Sequence, residues 1–268
     1  MDAVVVTSDS ARDLQRFFSS PSFSSFDRLI VVDNGSRDRS REIAHRAGAH
    51  VLQRSSRSGY GAAVNLGAAE TRGEFFAVIN PDVTITDSKS LSRLCEAFED
   101  ERVAIAAPGL LLPDGSIQDS ARCVPTPLDL VMRRKLTRRL GVVETGGTVP
   151  WVTGACLLVR RRAFDEVGGF DARYPLYFED VDICVRLGMA GWRVLYAPHV
   201  LFSHHHHAAS RGSFFSRAAW LHARSALRFY RTNPRHILRR STLPDISLED
   251  GPAEGADGTE SRNVGVLG

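Results

Sequence analysis

Three carboxylates within four positions form the stretch of this sequence best suited to chemistry. Glu179, Asp180 and Asp182 directly follow the aromatic pair Tyr177-Phe178 and lead into a helix-like run over 181–190. The N-terminus of a helix stabilises negative charge, so a carboxylate there is expected to stay ionised and to accept a proton. The alternative is an acidic first turn that only caps a surface helix. The rest of the chain favours the proton acceptor.

Strand-like and helix-like segments alternate in the first part of the chain. We predict strands at 1–7, 28–32, 50–53, 75–79 and 103–107, and helices at 11–20, 38–47, 59–69 and 90–100. This alternation predicts an α/β fold, in which a Rossmann-like, mostly parallel central sheet carries helices on both faces. In such sheets ligands bind at the carboxyl ends of the strands.

Polar side chains follow three of the predicted strands. Thr7 and Asp9 follow the first strand, Asp33 follows the second, and Asn80 and Asp82 follow the fourth. A single Asp after a strand is most often a turn residue or a helix cap. Two acidic strand ends with a glycine-led helix between them favour a ligand site at this edge.

The α/β alternation stops after Pro108. Residues 110–117 predict a hairpin around a Pro-Asp-Gly turn, and residues 120–150 look irregular. The pattern then predicts a strand at 155–160, a helix near 162–167, the acidic helix, two strands within 192–204 and a C-terminal helix at 213–232.

Composition indicates an ordinary globular chain with a basic body. Its 268 residues are 43% hydrophobic and 24% charged, enough for one sizeable core. We see no secretory leader and no apolar run of about 18 residues, and expect a cytoplasmic protein. The four cysteines form no Cys-x-x-Cys pair. The net charge of the whole chain is +3. Residues 241–268 contain six acidic residues and one basic residue, Arg262, so the preceding residues carry a net charge of about +8. Residues 241–268 are expected to be a disordered acidic tail.

Eight short motifs follow one another between residues 3 and 232. They are Val-Asp-Asn-Gly-Ser at 32–36, Gly-Tyr-Gly-Ala-Ala-Val-Asn at 59–65, Asn-Pro-Asp-Val at 80–83, Gly-Ala-Cys-Leu-Leu-Val-Arg-Arg at 154–161, Gly-Gly-Phe-Asp at 168–171, Tyr-Phe-Glu-Asp-Val-Asp at 177–182, Gly-Trp at 191–192 and His-His at 204–205. Their order resembles the inverting family-2 nucleotide-sugar glycosyltransferases of the GT-A fold. Within that family, the chain is most similar to bacterial rhamnosyltransferases that act on polyprenyl-diphosphate-linked N-acetylglucosamine.

The resemblance implies a divalent cation, Mn²⁺ or Mg²⁺, that offsets charge on the diphosphate leaving group. Asn80-Pro81-Asp82 matches a variant of the family's Asp-x-Asp motif, with Asp82 as metal ligand and Asn80 as a ribose or phosphate contact. His204 matches the family's metal-binding histidine. The run of four histidines at 204–207 could instead be a surface run or a tag remnant, and residues 205–207 have no assigned role.

The resemblance also implies contacts with the donor. Asp33 is expected to accept a hydrogen bond from the N3–H of uracil or thymine, and Thr7 and Asp9 to lie against the nucleoside. Gly59 would allow close backbone approach, and Asn65 would reach the diphosphate or the sugar. An Asx turn at Asp33 and plain helix packing at the glycines are the alternatives.

In the family the Asp of the Glu-Asp pair is the base that deprotonates the acceptor hydroxyl, so the resemblance assigns this role to Asp180. Glu179 and Asp182 would position the acceptor or the helix. The implied reaction moves L-rhamnose from dTDP-L-rhamnose to a lipid-linked polyprenyl-diphosphate N-acetylglucosamine or a polysaccharide acceptor in cell-wall biosynthesis.

We divide the chain accordingly into a nucleotide-sugar-binding half at 1–108, an acceptor-binding and catalytic half of the same domain at 109–210, a basic C-terminal helix at 211–240 and the tail. A different donor such as a UDP-hexose is one alternative. A dinucleotide-binding dehydrogenase is disfavoured because no Gly-x-Gly-x-x-Gly follows the first strand. A non-catalytic sugar-nucleotide-binding module is disfavoured because Asp82, Asp180 and His204 are all present.

The predicted C-terminal helix carries four arginines on one face. Arg217, Arg224, Arg228 and Arg231 are spaced by 7, 4 and 3 residues. Such a stripe is either a solvated basic face or a peripheral contact with an anionic membrane, here the inner face of the plasma membrane. Nucleic acid is not an expected partner, and the oligomeric state is open.

Overall fold

The computed structural model describes residues 1–20, 23–24, 26–85, 87–136, 142–205 and 217–238. The predicted tail at 241–268, residues 213–216 of the predicted C-terminal helix and the histidines at 206–207 lie outside these ranges.

Within these ranges the chain forms strands and helices in the predicted order. The strands are β1 (Asp2–Thr7), β2 (Leu29–Asp33), β3 (His50–Gln53), β4 (Phe75–Ile79), β5 (Val83–Ile85), β6 (Val103–Leu111), β7 (Ala121–Arg122), β8 (Gly147–Thr148), β9 (Trp151–Val152), β10 (Cys156–Arg160) and β11 (Arg193–His204). The α-helices are α1 (Ala11–Phe18), α2 (Ser40–Arg46), α3 (Tyr60–Ala68), α4 (Ser88–Cys95), α5 (Pro127–Leu136), α6 (Arg161–Glu166), α7 (Glu179–Met189) and α8 (Arg217–Thr232). Short 3₁₀ turns follow α4 at Glu96–Glu99 and α8 at Pro234–His236.

The central sheet has the strand order β3-β2-β1-β4-β10-β6-β11-β5, with β8 paired to β11. Strands β1 to β4 run parallel, and β11 is parallel to β6. Strand β10 lies antiparallel between β4 and β6, and short β5 pairs antiparallel with the end of β11. The mostly parallel sheet predicted from the sequence is therefore confirmed.

Helices cover both faces of this sheet, as predicted. Helices α3, α6, α7 and α8 contribute to the core on one face, and α1, α2 and α4 contribute to the core on the other. Residues 3–6 of β1 are apolar on both sides of the sheet, and all six residues of the strand are buried because helices cover both sides.

The prediction that residues 120–150 are irregular is wrong. They contain helix α5, which begins at Pro127 behind a reciprocal cap. The Thr126 hydroxyl donates to Asp129 Oδ2 at 2.9 Å, and the Asp129 N–H donates to Thr126 Oγ1 at 3.2 Å. Thr-Pro-Leu-Asp at 126–129 is a recognisable capping box, so the sequence did carry this signal.

The two strands predicted within 192–204 are one strand. β11 is continuous from Arg193 to His204 and absorbs Pro198 in an irregularity between Ala197 and Leu201. The hairpin predicted at 110–117 is confirmed, since Leu112 N–H donates to Ser116 O at 2.8 Å around the turn.

Helix α3 approaches the sheet closely through Gly67. A Cβ at this position would lie 2.4 Å from Val4 Cγ1 and 3.0 Å from Val32 Cγ2. Gly188 occupies the equivalent next-to-last position of α7, where a Cβ would meet nothing within 4 Å.

We expect Gly67→Ala to lower the free energy of unfolding by about 1–3 kcal/mol, because α3 must move away from the sheet. Gly188→Ala is the matched control and should raise it by up to about 1 kcal/mol, because alanine restricts the unfolded chain. Urea denaturation followed by circular dichroism measures both. Equal effects would contradict the close packing of α3.

Candidate active site

Residues 177–182, which we call the acidic turn, begin with two residues in a left-handed backbone conformation. Tyr177 has φ 62° and Phe178 has φ 68°, which is unusual for side chains of this size. The Phe178 ring is buried, with centroids 5.3 Å from Phe229 and 6.0 Å from Tyr230. Helix α8 therefore holds in place the strained backbone that presents Glu179.

Asp180 is held by main-chain N–H groups from two elements. Gly154 donates to its Oδ2 at 3.2 Å, and Val181 donates to its Oδ1 at 2.9 Å. The Tyr60 hydroxyl, at the start of α3, donates to the Gly154 carbonyl at 3.0 Å. Gly154 thus connects Asp180 to helix α3.

Burial raises the pKa values of two carboxyls in this turn. It raises the pKa of Asp180 and, together with the negative charge of Asp180, the pKa of Glu179. Glu179 Oε2 is buried and has no hydrogen-bond partner among the described residues. The sequence predicted that the helix N-terminus keeps these carboxylates ionised, but loss of hydration outweighs that effect. A carboxyl with a raised pKa is a stronger proton acceptor once it is ionised.

Asp182 makes internal contacts. Its Oδ1 accepts a hydrogen bond from the Tyr174 hydroxyl at 3.0 Å, and its Oδ2 pairs with Arg186 Nε at 2.7 Å. Arg186 in turn donates to the carbonyls of Val167 and Gly169. Of the two roles expected for Asp182, these contacts favour positioning of the helix.

Asp82 and His204 lie side by side, with His204 Nε2 3.3 Å from Asp82 Oδ2. The pairing of β5 with β11 places them together: His204 is opposite Val83, and His205 N–H donates to Asp82 O at 2.8 Å. Gln118 Oε1 lies 2.6 Å from His204 Nδ1. As an acceptor it assigns the proton to Nδ1 and directs the Nε2 lone pair towards Asp82.

These two residues connect to the acidic turn through the ends of β4 and β10. Asn80 N–H donates to Ala155 O at 2.8 Å, beside the Gly154 that holds Asp180. The pKa of Tyr60 is raised well above its usual range, first by burial and then by the negative charges of Glu179 and Asp82, with smaller effects from Cys156 and Asp180. The charges of Asp82, Glu179 and Asp180 therefore all act on the Tyr60 hydroxyl, and His204 contacts Asp82.

The expected nucleoside residues lie at the carboxyl ends of β1 and β2. Thr7 is fully buried, and its Oγ1 has no hydrogen-bond partner in the described part of the chain. Asp33 is also buried and accepts a hydrogen bond from Ser36 N–H at 3.0 Å, as an Asx turn does. Asn34 Oδ1 accepts from Ser58 N–H at 3.0 Å and anchors the loop before α3.

Asp9 binds neighbouring loops of the chain itself. Its carboxylate forms an ion pair with Arg57 and accepts a hydrogen bond from Arg37 N–H at 2.6 Å. The Arg37 N–H is the main cause of the lowered pKa of Asp9. Arg57 also packs beside Gly35, where a Cβ would lie 3.3 Å from Arg57 Cγ. The Asp9 contact with a nucleoside stays a prediction.

Gly59 and Asn65 have structural partners as well. A Cβ on Gly59 would lie 2.0 Å from Tyr174 O, so only glycine fits there. Asn65 Nδ2 donates to Phe170 O at 2.7 Å, and Phe170 N–H donates to Asn65 Oδ1 at 2.9 Å. Both ends of the amide bind this backbone, and the predicted contact of Asn65 with the diphosphate or the sugar stays a prediction.

A model of glycosyl transferase family 2 matches residues 4–168, more than half of the chain. The chain belongs to glycosyl transferase family 2. The resemblance noted from the motifs is confirmed, and the protein is a glycosyltransferase.

This glycosyltransferase is 34% identical over 233 residues to the N-acetylglucosaminyl-diphospho-decaprenol L-rhamnosyltransferase of Mycobacterium tuberculosis, and the match covers 76% of each chain. It is 31% identical over 165 residues to a rhamnosyltransferase of Escherichia coli, covering 58% of this chain and 61% of that protein. The structure of a mannosyltransferase of Pyrobaculum calidifontis with GDP-Man and Mn²⁺ matches with a TM-score of 0.60 and 17% identity, covering 87% of this chain and 64% of that one. This likeness confirms the GT-A fold.

Sequence reasoning missed three residues of this glycosyltransferase site. Tyr60 and Gly154 lie within motifs that had been recognised, but their contacts with each other and with Asp180 depend on packing. Gln118 lies in a loop without any motif, and only its contact with His204 reveals it.

The raised pKa values predict how stability depends on pH. Below about pH 4 these carboxyls are protonated whether the chain is folded or unfolded. As the pH rises above that, the unfolded chain releases these protons first, so folding stability is lost up to the raised folded-state pKa values. We expect Glu179→Gln to raise the melting temperature at pH 8 more than at pH 5. Calorimetry across this range tests it, and an equal shift at both pH values would contradict the buried charge.

Proposed function

We propose that this glycosyltransferase moves L-rhamnose from dTDP-L-rhamnose to a lipid-linked N-acetylglucosamine diphosphate, with inversion at the anomeric carbon. The relatives in Mycobacterium tuberculosis and Escherichia coli support the sugar, and the first of them supports the acceptor. The observation that carries the proposal is the contact of His204 with Asp82, together with the hydrogen bonds of Asn80 to Ala155 and of Gly154 to Asp180, which connect this pair to the Asp180 carboxylate.

Asp82 and His204 would hold a divalent cation, Mn²⁺ or Mg²⁺. Two ligands about 2.1 Å from one cation at right angles lie about 3 Å apart, close to the observed 3.3 Å. No cluster of three or more His, Cys, Asp or Glu suited to a metal occurs among the described residues. The remaining ligands would therefore come from the donor diphosphate and water. The cation would neutralise charge on the departing nucleoside diphosphate.

Asp180 is the proposed base. As the acceptor oxygen bonds to the anomeric carbon, its proton passes to the Asp180 carboxylate, and the nucleoside diphosphate leaves on the opposite side of the sugar. The Gly154 and Val181 N–H groups fix the carboxylate orientation. Tyr60 orients Gly154 in turn through its hydrogen bond to the carbonyl.

A cavity that adjoins Gln118 is a candidate part of the acceptor site. It has a volume of about 820 Å³ and is lined in part by Gln118, Arg122, Glu144 and Tyr196. Gln118 belongs both to this cavity and to the His204 contact. The cavity includes residues of the 120–150 segment and agrees with an acceptor-binding half at 109–210.

A panel of nucleotide sugars tests the donor. With Mn²⁺ or Mg²⁺ present, dTDP-L-rhamnose should raise the melting temperature more than UDP-glucose, UDP-N-acetylglucosamine or GDP-mannose, because a ligand selective for the folded state stabilises it. A larger shift with a UDP-hexose would favour the alternative donor. The cytoplasmic location stays a prediction.

Asp180→Asn should lower turnover about 10²–10⁴-fold, because proton transfer contributes mainly in the transition state. The thermal shift with donor should be retained. Asp182→Asn is the matched control, with a lower melting temperature and a much smaller loss of turnover per folded molecule. Rhamnose transfer is measured by chromatography. Near-normal turnover of Asp180→Asn would overturn the assignment of Asp180 as the base.

Gln118→Leu should weaken Mn²⁺ affinity about 10–100-fold, because it removes the acceptor that orients His204. Gln53→Leu, at an exposed site on β3, is the control and should leave the affinity unchanged. Electron paramagnetic resonance of free Mn²⁺ in a titration measures both. Equal affinities of the two variants would show that the Gln118 contact does not orient a metal-binding His204.

A further inference from the structure

Helix α8 has one buried and one exposed face. Ser225, Ala226, Phe229 and Tyr230 are buried against the core. The other face exposes Arg217, Trp220, Arg224, Leu227 and Arg231, with Trp220 62% and Leu227 54% accessible. We call these five residues the outer face of α8.

The outer face alternates cationic and large apolar side chains. Its residues are spaced by 3, 4, 3 and 4 positions, so they form a single stripe along the helix. The Arg224 guanidinium lies 5.8 Å from the Trp220 ring centroid. Past the end of α8, Ile237 and Leu238 are also exposed, Leu238 to 90%.

Arg228 does not belong to this face, which corrects the four-arginine stripe predicted from the sequence. It is partly buried, its Nε lies 3.4 Å from Asp171 Oδ2, and it lies over the Tyr174 ring. Its charge is used within the protein. Arg217, Arg224 and Arg231 form no ion pair with any residue that the structure describes.

The charge pattern decides which partner fits the outer face. From residue 211 to 240 the sequence has eight arginines and no acid. Trp, Leu and Arg on one stripe are the composition of helices that lie in the headgroup region of a bilayer, where Arg binds lipid phosphates and Trp and Leu enter the acyl boundary. A protein partner would not require a segment that is free of acidic residues. We therefore propose that the outer face of α8 docks on an anionic lipid surface.

This docking rests in part on the proposed function, because it places the acceptor lipid near the base. The buried side of α8 contacts the acidic turn: the Ser225 hydroxyl donates to Leu176 O at 2.8 Å, and the His222 ring lies 5.3 Å from the Tyr177 ring. A membrane beneath the outer face would thus be one helix diameter from that turn. Each described helix is too short or too polar to cross a bilayer, so the contact would be peripheral.

Vesicle sedimentation of the full chain tests the docking without donor or acceptor. At low salt, binding to phosphatidylglycerol vesicles should exceed binding to phosphatidylcholine vesicles at least tenfold and should weaken as salt rises. Equal binding to both, or no binding to either, overturns the proposal.

Two variants with the same change of charge locate the surface. Arg224→Glu should weaken binding about tenfold or more, because each arginine near an anionic surface contributes on the order of 1 kcal/mol. Arg41→Glu lies on α2, which packs on the opposite face of the sheet, and should bind like the parent. Equal loss in both variants would mean general electrostatic attraction and would overturn the assignment to α8.

Tryptophan fluorescence supplies a readout of insertion. The three tryptophans are Trp151, Trp192 and Trp220. The parent and Trp192→Phe should show a blue shift on anionic vesicles, whereas Trp220→Phe should not. A blue shift that persists in Trp220→Phe counts against the proposal. Vesicle binding without rhamnose transfer would support the docking and contradict the proposed reaction. Rhamnose transfer without vesicle binding would support the reaction and contradict the docking.

Discussion

The backbone of Gly154 is the connection on which the catalytic geometry depends. Its N–H binds Asp180, and its carbonyl accepts from Tyr60. The next carbonyl, of Ala155, accepts from Asn80 at the end of β4. This is possible because β10 runs antiparallel beside β4, so its first residues lie where β4 ends. One reversed strand in a mostly parallel sheet therefore joins the edge that carries Asp82 to the acidic turn.

That geometry has an electrostatic cost. Glu179 is buried and Asp180 partly buried at adjacent positions, and the negative charge of Asp82 acts with theirs on Tyr60. Loss of hydration and mutual repulsion disfavour their charged forms. A cation at Asp82 and a proton donor at Asp180 relieve this cost, so the site favours the species that the proposed reaction requires. Helix α8 opposes the strain by packing on Phe178.

Much of the fold was readable because its elements are long and periodic. The four parallel strands and the helices between them lie within a few residues of the predicted bounds. The failures have separate physical causes. Strand β5 has three residues, too few for a periodic signal, although it places Asp82 beside His204. Helix α5 has a capping box in its sequence, but the periodicity of its apolar residues is too weak to predict a helix. Pro198 suggested a break that β11 absorbs as an irregularity.

The sequence by itself determined the α/β class, the family and the residue types at the site, because these depend on local periodicity and on short motifs. Only the tertiary structure decided which polar residues contact each other. Asn65, Asp182 and Arg228 bind other groups of the protein, while Gly154 binds Asp180, Tyr60 binds Gly154 and Gln118 binds His204. Burial raises the pKa of Glu179 and of Asp180, which is opposite in direction to the effect expected from the helix N-terminus. Loss of hydration depends on everything that surrounds a carboxylate, and neighbours far apart in the chain are set by packing.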